Sequence, residues 1–91
     1  MASVLKIKAP EGNLSSASNV NFAKLVRVLN NKTSVQAITH TDKDGQVIGT
    51  VTLAAGEIAY IAKDPTDKLL GVATSLAVSV AFANKWLIHV K

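Results

Sequence analysis

The sequence predicts an all-β protein, a small antiparallel β-sandwich or barrel of about seven to eight short strands, and three observations carry that expectation. Apolar and polar residues alternate in short runs, and turn signals separate the runs. The apolar content is built from Val, Ile, Leu and Ala: 48% of the residues are hydrophobic but only 4% are aromatic. Small and β-branched side chains suit a pleated surface. A chain of 91 residues is one domain, and at that size folding hides only about 60–65% of the unfolded surface, so the core is thin. There is no cysteine to reinforce it.

The first strand is expected over 4–8, with Leu5 and Ile7 inward and Lys6 and Lys8 outward, stopped by Pro10 and Gly12. Residues 11–21, EGNLSSASNVN, are rich in Ser, Asn and Gly, whose side chains compete with ladder hydrogen bonds. Residues 1–22 therefore read as an edge strand and a Ser/Asn-rich arm pinned by Leu14 and Val20, and 23–91 as a single β-domain. A central strand follows over 23–29 and ends at Asn30-Asn31-Lys32, residues that tolerate the left-handed conformations of a turn.

From 34 to 41, Val35, Ala37 and Thr39 alternate with Gln36, Ile38 and His40. Asp44-Gly45 is then the clearest hairpin signal in the chain, because the pair accepts positive φ. The return strand, 46–53, sets Val47, Gly49, Val51 and Leu53 against Thr50 and Thr52. Gly56 breaks the pattern and 57–63 resumes it, up to the turn Asp64-Pro65-Thr66-Asp67. Two more strands are expected over 69–73 and 76–82, the second with Leu76, Val78, Val80 and an internal Phe82 opposite Ala77, Ser79 and Ala81. A buried helix is the rival for 69–83, since Leu and Ala are good helix formers. The last strand, 85–91, sets Trp86, Ile88 and Val90 against Leu87 and His89.

Ten Lys and Arg against six Asp and Glu give a formal charge of +4, but the cations never form a run of three. That spacing argues against a dense nucleic-acid patch. A small nucleic-acid-binding β-barrel built on Lys6, Lys8, Lys24, Arg27 and Lys85 stays as an alternative; it lacks a stacking surface, because Phe22, Tyr60, Phe82 and Trp86 are the only aromatics. The opening residues lack a secretory signal, and 69–83 falls short of the ~20 residues of a membrane helix, so no membrane is expected and the setting is cytoplasmic.

The stretch His40-Thr41-Asp42-Lys43-Asp44-Gly45 has a superficial likeness to a calcium loop, but Lys43 sits among the carboxylates and no bidentate Glu follows, so it reads as a hairpin turn. Asp64 and Asp67 read as turn caps, and Glu57 as one half of a surface ion pair with Lys63 or Lys68. His40 and His89 read as structural. No phosphate loop, dinucleotide fingerprint or nucleophile elbow appears. The expectation is a non-enzymatic protein with no cofactor and no metal.

The segment Lys24-Leu25-Val26-Arg27-Val28-Leu29-Asn30-Asn31, the hairpin, and then Leu53-Ala54-Ala55-Gly56-Glu57-Ile58-Ala59-Tyr60-Ile61-Ala62-Lys63-Asp64-Pro65-Thr66-Asp67 resemble the small virion structural proteins of marine tailed bacteriophages, including those infecting cyanobacteria. The likeness covers roughly residues 24–82. It implies a virion component present in many copies, a decoration or cement protein on the capsid, with neck, tail and fibre positions open. It carries no catalytic residues. The implied partners are the major capsid protein or other virion proteins, together with neighbouring copies in a homo-oligomer assembled in the host cytoplasm. The expected contacts are the chain ends: Val4, Leu5 and Ile7 at one, Trp86, Ile88 and Val90 at the other. Edge strands invite strand addition, and Trp is a favoured interface anchor.

Overall fold

The computed structural model describes residues 4–82, so the expected strand 85–91, with Trp86, Ile88 and Val90, lies outside the described residues. The described chain is all-β, with every strand pairing antiparallel. The strands are β1 Leu5–Ile7, β2 Gly12–Asn13, β3 Leu25–Asn30, β4 Gln36–Thr41, β5 Val47–Leu53, β6 Ile58–Ala62, β7 Lys68–Leu70 and β8 Ser75–Phe82.

They form two sheets. The larger has the order β1-β8-β3-β6, with β2 alongside β8 on the same flank as β1; the smaller has the order β5-β4-β7. β3 is the central strand its apolar run predicts, and its side chains alternate strictly between half-buried and buried. Val26 and Val28 point into the core, where they meet Ala77 of β8, Ile38 of β4, Leu53 of β5 and Leu69 of β7.

The segment 69–83 is strand rather than helix. β8 pairs with β3 on one flank and with β1 and β2 on the other, so its backbone groups are satisfied by ladders. Its two faces divide as expected, but the small residues face the core: Ser79, Ala77 and Ser75 stand opposite Val26, Val28 and Asn30. Phe82 is not internal; it lies on the outer face at 38% exposure. The strand expected over 69–73 is shorter, because the chain turns at Gly71, where an added Cβ would stand 2.5 Å from Ser75 Oγ. β1 also departs from expectation. Ile7 pairs with Val80 on the outer face and is 71% exposed, since the core lies on the other side of the sheet.

The β4–β5 hairpin forms where Asp44-Gly45 predicts it. Gly45 takes φ 87°, its N–H donates to Asp42 O, and Asp42 Oδ1 accepts from the Asp44 and Gln46 amides. That capping accounts for the acidic stretch.

The arm 11–21 is ordered by what it buries. Leu14 and Val20 both enter the core, at 1% and 6% exposure. Leu14 N–H donates to Ser75 O, Leu14 O accepts from Gly71, and Ser18 exchanges two backbone hydrogen bonds with Leu69. The arm thereby stitches β8 of one sheet to β7 of the other. It then makes a turn of left-handed backbone, with Val20, Asn21 and Phe22 at φ 52°, 58° and 56°. Successive left-handed residues cost roughly 1–2 kcal/mol each, and caps from Ser18 Oγ to the Val20 amide and from Asn19 Oδ1 to the Phe22 amide offset part of that.

Candidate assembly surface

Sheet order leaves one side of the sandwich open. β5 and β6 are edge strands, each pairing on one side only among the described residues. The chain passes directly from one to the other through the turn at Ala54-Ala55-Gly56, where Gly56 takes φ 76°. The two free edges therefore face each other across a seam. A groove of about 360 Å³ runs along it, lined by Ile38, Ile48, Val51, Tyr60, Ile61 and His40 among others. The apolar residues on its rim are exposed: Ile48 58%, Val51 43%, Tyr60 46%.

One end of this seam is held by Asn30, which closes β3 and is completely buried. Its amide nitrogen donates to Ser34 O at 2.9 Å, Leu53 O at 3.1 Å and Ala54 O at 3.0 Å, and its side-chain oxygen accepts from the Lys32 amide. Asn30 is thus a satisfied tie between the two sheets rather than part of a left-handed turn. Glu57 lies at the same end. It makes no ion pair with Lys63 or Lys68; its carboxylate accepts from the Ala54 amide at 2.7 Å, and Lys63 stands at the opposite end of β6.

The other end carries a polar cluster. His40 Nε2 lies 3.0 Å from Asp67 Oδ2, which also accepts from the Asp64 amide. Asp67 therefore caps its turn, as expected, and holds the histidine as well. Lys63 is buried, with its ammonium donating to Asp64 O and Pro65 O. Desolvation lowers its pKa, against the opposing pull of Asp67 and Asp64. Among the described residues no three His, Asp or Glu side chains gather as a metal site.

A second apolar surface covers the outer face of the larger sheet. Leu5 and Ile7 stand there in register with Phe82 and Val80, and the Phe82 ring lies 5.0 Å from that of Tyr60. Arg27 and Glu11 pair at 3.7 Å on this face beside Val78. Of the residues expected at an interface, Val4, Leu5 and Ile7 are placed together on β1 or beside it, with Val4 48% exposed. The structure does not join them to Trp86, Ile88 or Val90, which lie outside the described residues.

Sequence reasoning missed the open seam. A signal was present in Val47-Ile48, because adjacent apolar residues on a strand face opposite ways and both need cover. Comparison with protein families, curated proteins and solved structures finds no match to this chain.

Proposed function

We propose that this protein is a non-enzymatic assembly part that works by packing against copies of itself and a larger protein shell. The observation that supports the reading is the open seam: two strand edges without a ladder partner among the described residues, beside an apolar groove in a domain too small to spare buried surface. Unpaired amides and carbonyls offer ladder hydrogen bonds to an incoming chain, and exposed Ile48, Val51 and Tyr60 offer it apolar contact. The likeness of residues 24–82 to small virion proteins points to the shell of a tailed phage, with the protein as capsid decoration or cement.

The test is a density map of the particle encoded beside this gene, together with co-sedimentation of purified protein with that particle. The expected result is regular, multi-copy density on the capsid surface. Density confined to the neck, tail or fibre would move the protein within the virion. Absence from the particle, combined with oligonucleotide binding at about micromolar or tighter and steeply salt-dependent, would overturn the proposal in favour of a nucleic-acid-binding barrel.

A further inference from the structure

We propose that the groove between the end of β1, β8 and the left-handed turn at 20–22 is a docking site for an acidic segment of a protein partner. Lys6, Lys8 and Lys24 take its carboxylates, and Phe22 takes an apolar side chain between them. The groove shares no lining residue with the β5–β6 seam, so it is a second surface.

Strand register sets the charge. Directly opposed residues of antiparallel strands lie on one face of the sheet. Val26 and Ser79 are such a pair, and both are buried. Two residues further along the same face β8 carries Ala81, which pairs with Lys6 of β1. Continued by the same two residues, the β3–β8 register sets Lys24 on the other side of Ala81. Lys8, whose N–H donates to Ser79 O, follows Lys6 on this face. Three lysines thus flank a floor of small side chains, with Lys6 and Lys8 about 7 Å apart along their strand and Lys24 about 10 Å away across two strand spacings.

All three lysines are exposed, and none has a carboxylate within 4.0 Å among the described residues. The chain's six Asp and Glu all lie among those residues, so no acidic side chain elsewhere in the sequence is left to neutralise them. Lys63, which follows Lys24 in the same row, differs, because its ammonium donates to Asp64 O and Pro65 O. Three gathered cations without a counter-charge complement an acidic partner.

The turn supplies the second feature. Phe22 takes φ 56° between buried Val20 and buried Ala23, with its amide capped by Asn19 Oδ1, and its own side chain is 63% exposed. An aromatic ring left largely in water contributes little to the core, and left-handed backbone at non-glycine residues gathers at binding sites. The ring lines a groove of about 420 Å³ together with Lys8, Lys24, Ser79 and Ala81.

Lysine serves carboxylates and phosphates alike, so the aromatics decide between them. A nucleic-acid strand stacks successive bases on successive rings. Tyr60 and Phe82 lie on the outer face of the sheet, 5.0 Å from each other, which leaves Phe22 alone beside the lysines among the described residues. One ring with three cations fits a short extended segment in which acidic residues flank an apolar one. Carboxylates two residues apart on such a segment are about 7 Å apart, the spacing of Lys6 and Lys8.

The test uses isotope-labelled full-length protein and three probes: a short peptide with a Glu-Leu-Glu core between Gly and Ser residues, the same peptide with Gln for Glu, and an oligothymidylate. The Glu peptide is expected to shift the amide resonances of Lys8, Phe22, Lys24 and Ala81, with a Kd that rises as salt is added. The Gln peptide should bind at least about tenfold more weakly. Lys8→Glu and Lys24→Glu, both at exposed positions, should each weaken the Glu peptide several-fold. Phe22→Gly separates binding from structure: glycine takes positive φ without strain, so this variant should melt at or above the wild-type temperature and yet bind the peptide several-fold more weakly. A fall in its melting temperature would make Phe22 a structural side chain and overturn the inference. Equal binding of the Glu and Gln peptides would overturn it too, as would shifts at Ile48, Val51 and Tyr60 in place of the groove, or no binding at about millimolar peptide. Oligothymidylate bound more tightly than the Glu peptide, with shifts at the same residues, would overturn it in favour of nucleic acid. The peptide outcomes leave the assembly reading where it stands, since the particle decides that.

Discussion

The two sides of the sandwich solve the same problem in different ways. On one, the arm 11–18 bridges the sheets: β2 pairs with β8, Ser18 pairs with Leu69 of β7, and Leu14 is sunk into the core between them. On the other, β5 and β6 face each other with no ladder partner on their outer edges among the described residues, and Asn30 ties β3 to the end of β5. The closed side spends eight residues of Ser/Asn-rich chain on satisfying backbone groups and contributes one large apolar side chain. The open side keeps Ile48, Val51 and Tyr60 at the surface. A domain this small gains stability where it is sewn shut and keeps apolar side chains in water where it is not.

The largest expected effect lies on the closed side. Leu14→Ala removes a side chain that is 1% exposed in the core. It should cost about 2–5 kcal/mol in urea unfolding, as deletions of buried leucine do. A loss below about 1 kcal/mol would mean that the arm is a surface strap rather than a closure of the sandwich.

Next comes the tie across the open side. Asn30→Ala strips the donor from the carbonyls of Ser34, Leu53 and Ala54 in a buried position. Stranded acceptors of this kind cost about 1–3 kcal/mol. Amide exchange should also show the turn at Gly56 opening before β3, whereas uniform loss of protection would mean that the tie is not local.

These two residues also mark what was legible in the chain. Leu14 stands out as an apolar residue in a polar loop, and its burial follows from that alone. β3, the β4–β5 hairpin, β6 and β8 were readable for the same reason, since period-two alternation and Asp-Gly turn chemistry act over a few residues. Asn30 reads as an ordinary strand end, because its partners Leu53 and Ala54 are more than twenty residues away. The left-handed turn at Val20–Asn21–Phe22 is equally hidden, since nothing local asks a β-branched residue to take φ 52°. Which strand edges stay open depends on sheet order, and sheet order is set by pairings across the whole chain. The seam therefore became visible only once β5 and β6 were placed.

Lys63, at the far end of the open side, links the stability of that side to pH. Desolvation lowers its pKa in the folded state, so the unfolded chain binds the proton more tightly. Between the lowered folded value and the ordinary lysine value of 10.5 the unfolded state carries more protons, and stability attributable to Lys63 rises with pH across that window. Wild type should gain on Lys63→Met as unfolding is measured from neutral pH up to about pH 10.5. Parallel pH profiles for the two proteins would show that the ammonium reaches solvent freely and that the seam's polar end is as open as its groove.

The smallest effect is expected in the groove itself, at Ile48→Thr. On the closed side, one apolar-to-polar change in the core exposes a cavity and an unpaired hydroxyl. Ile48 is 58% exposed on an edge strand, so the isolated domain already bears most of the cost of leaving it in water. Threonine keeps the β-branch that the extended backbone favours, so stability should stay within about 0.5 kcal/mol of wild type. The measurement is chemical denaturation at protein concentrations low enough to keep the chain monomeric, because any partner that buries Ile48 would add its own binding energy to the apparent stability. A neutral result there, beside a large loss at Leu14, is what a sandwich sealed on one side and open on the other requires. A loss approaching that of Leu14→Ala would mean that Ile48 is already covered within the single chain, and the groove would then be part of the core.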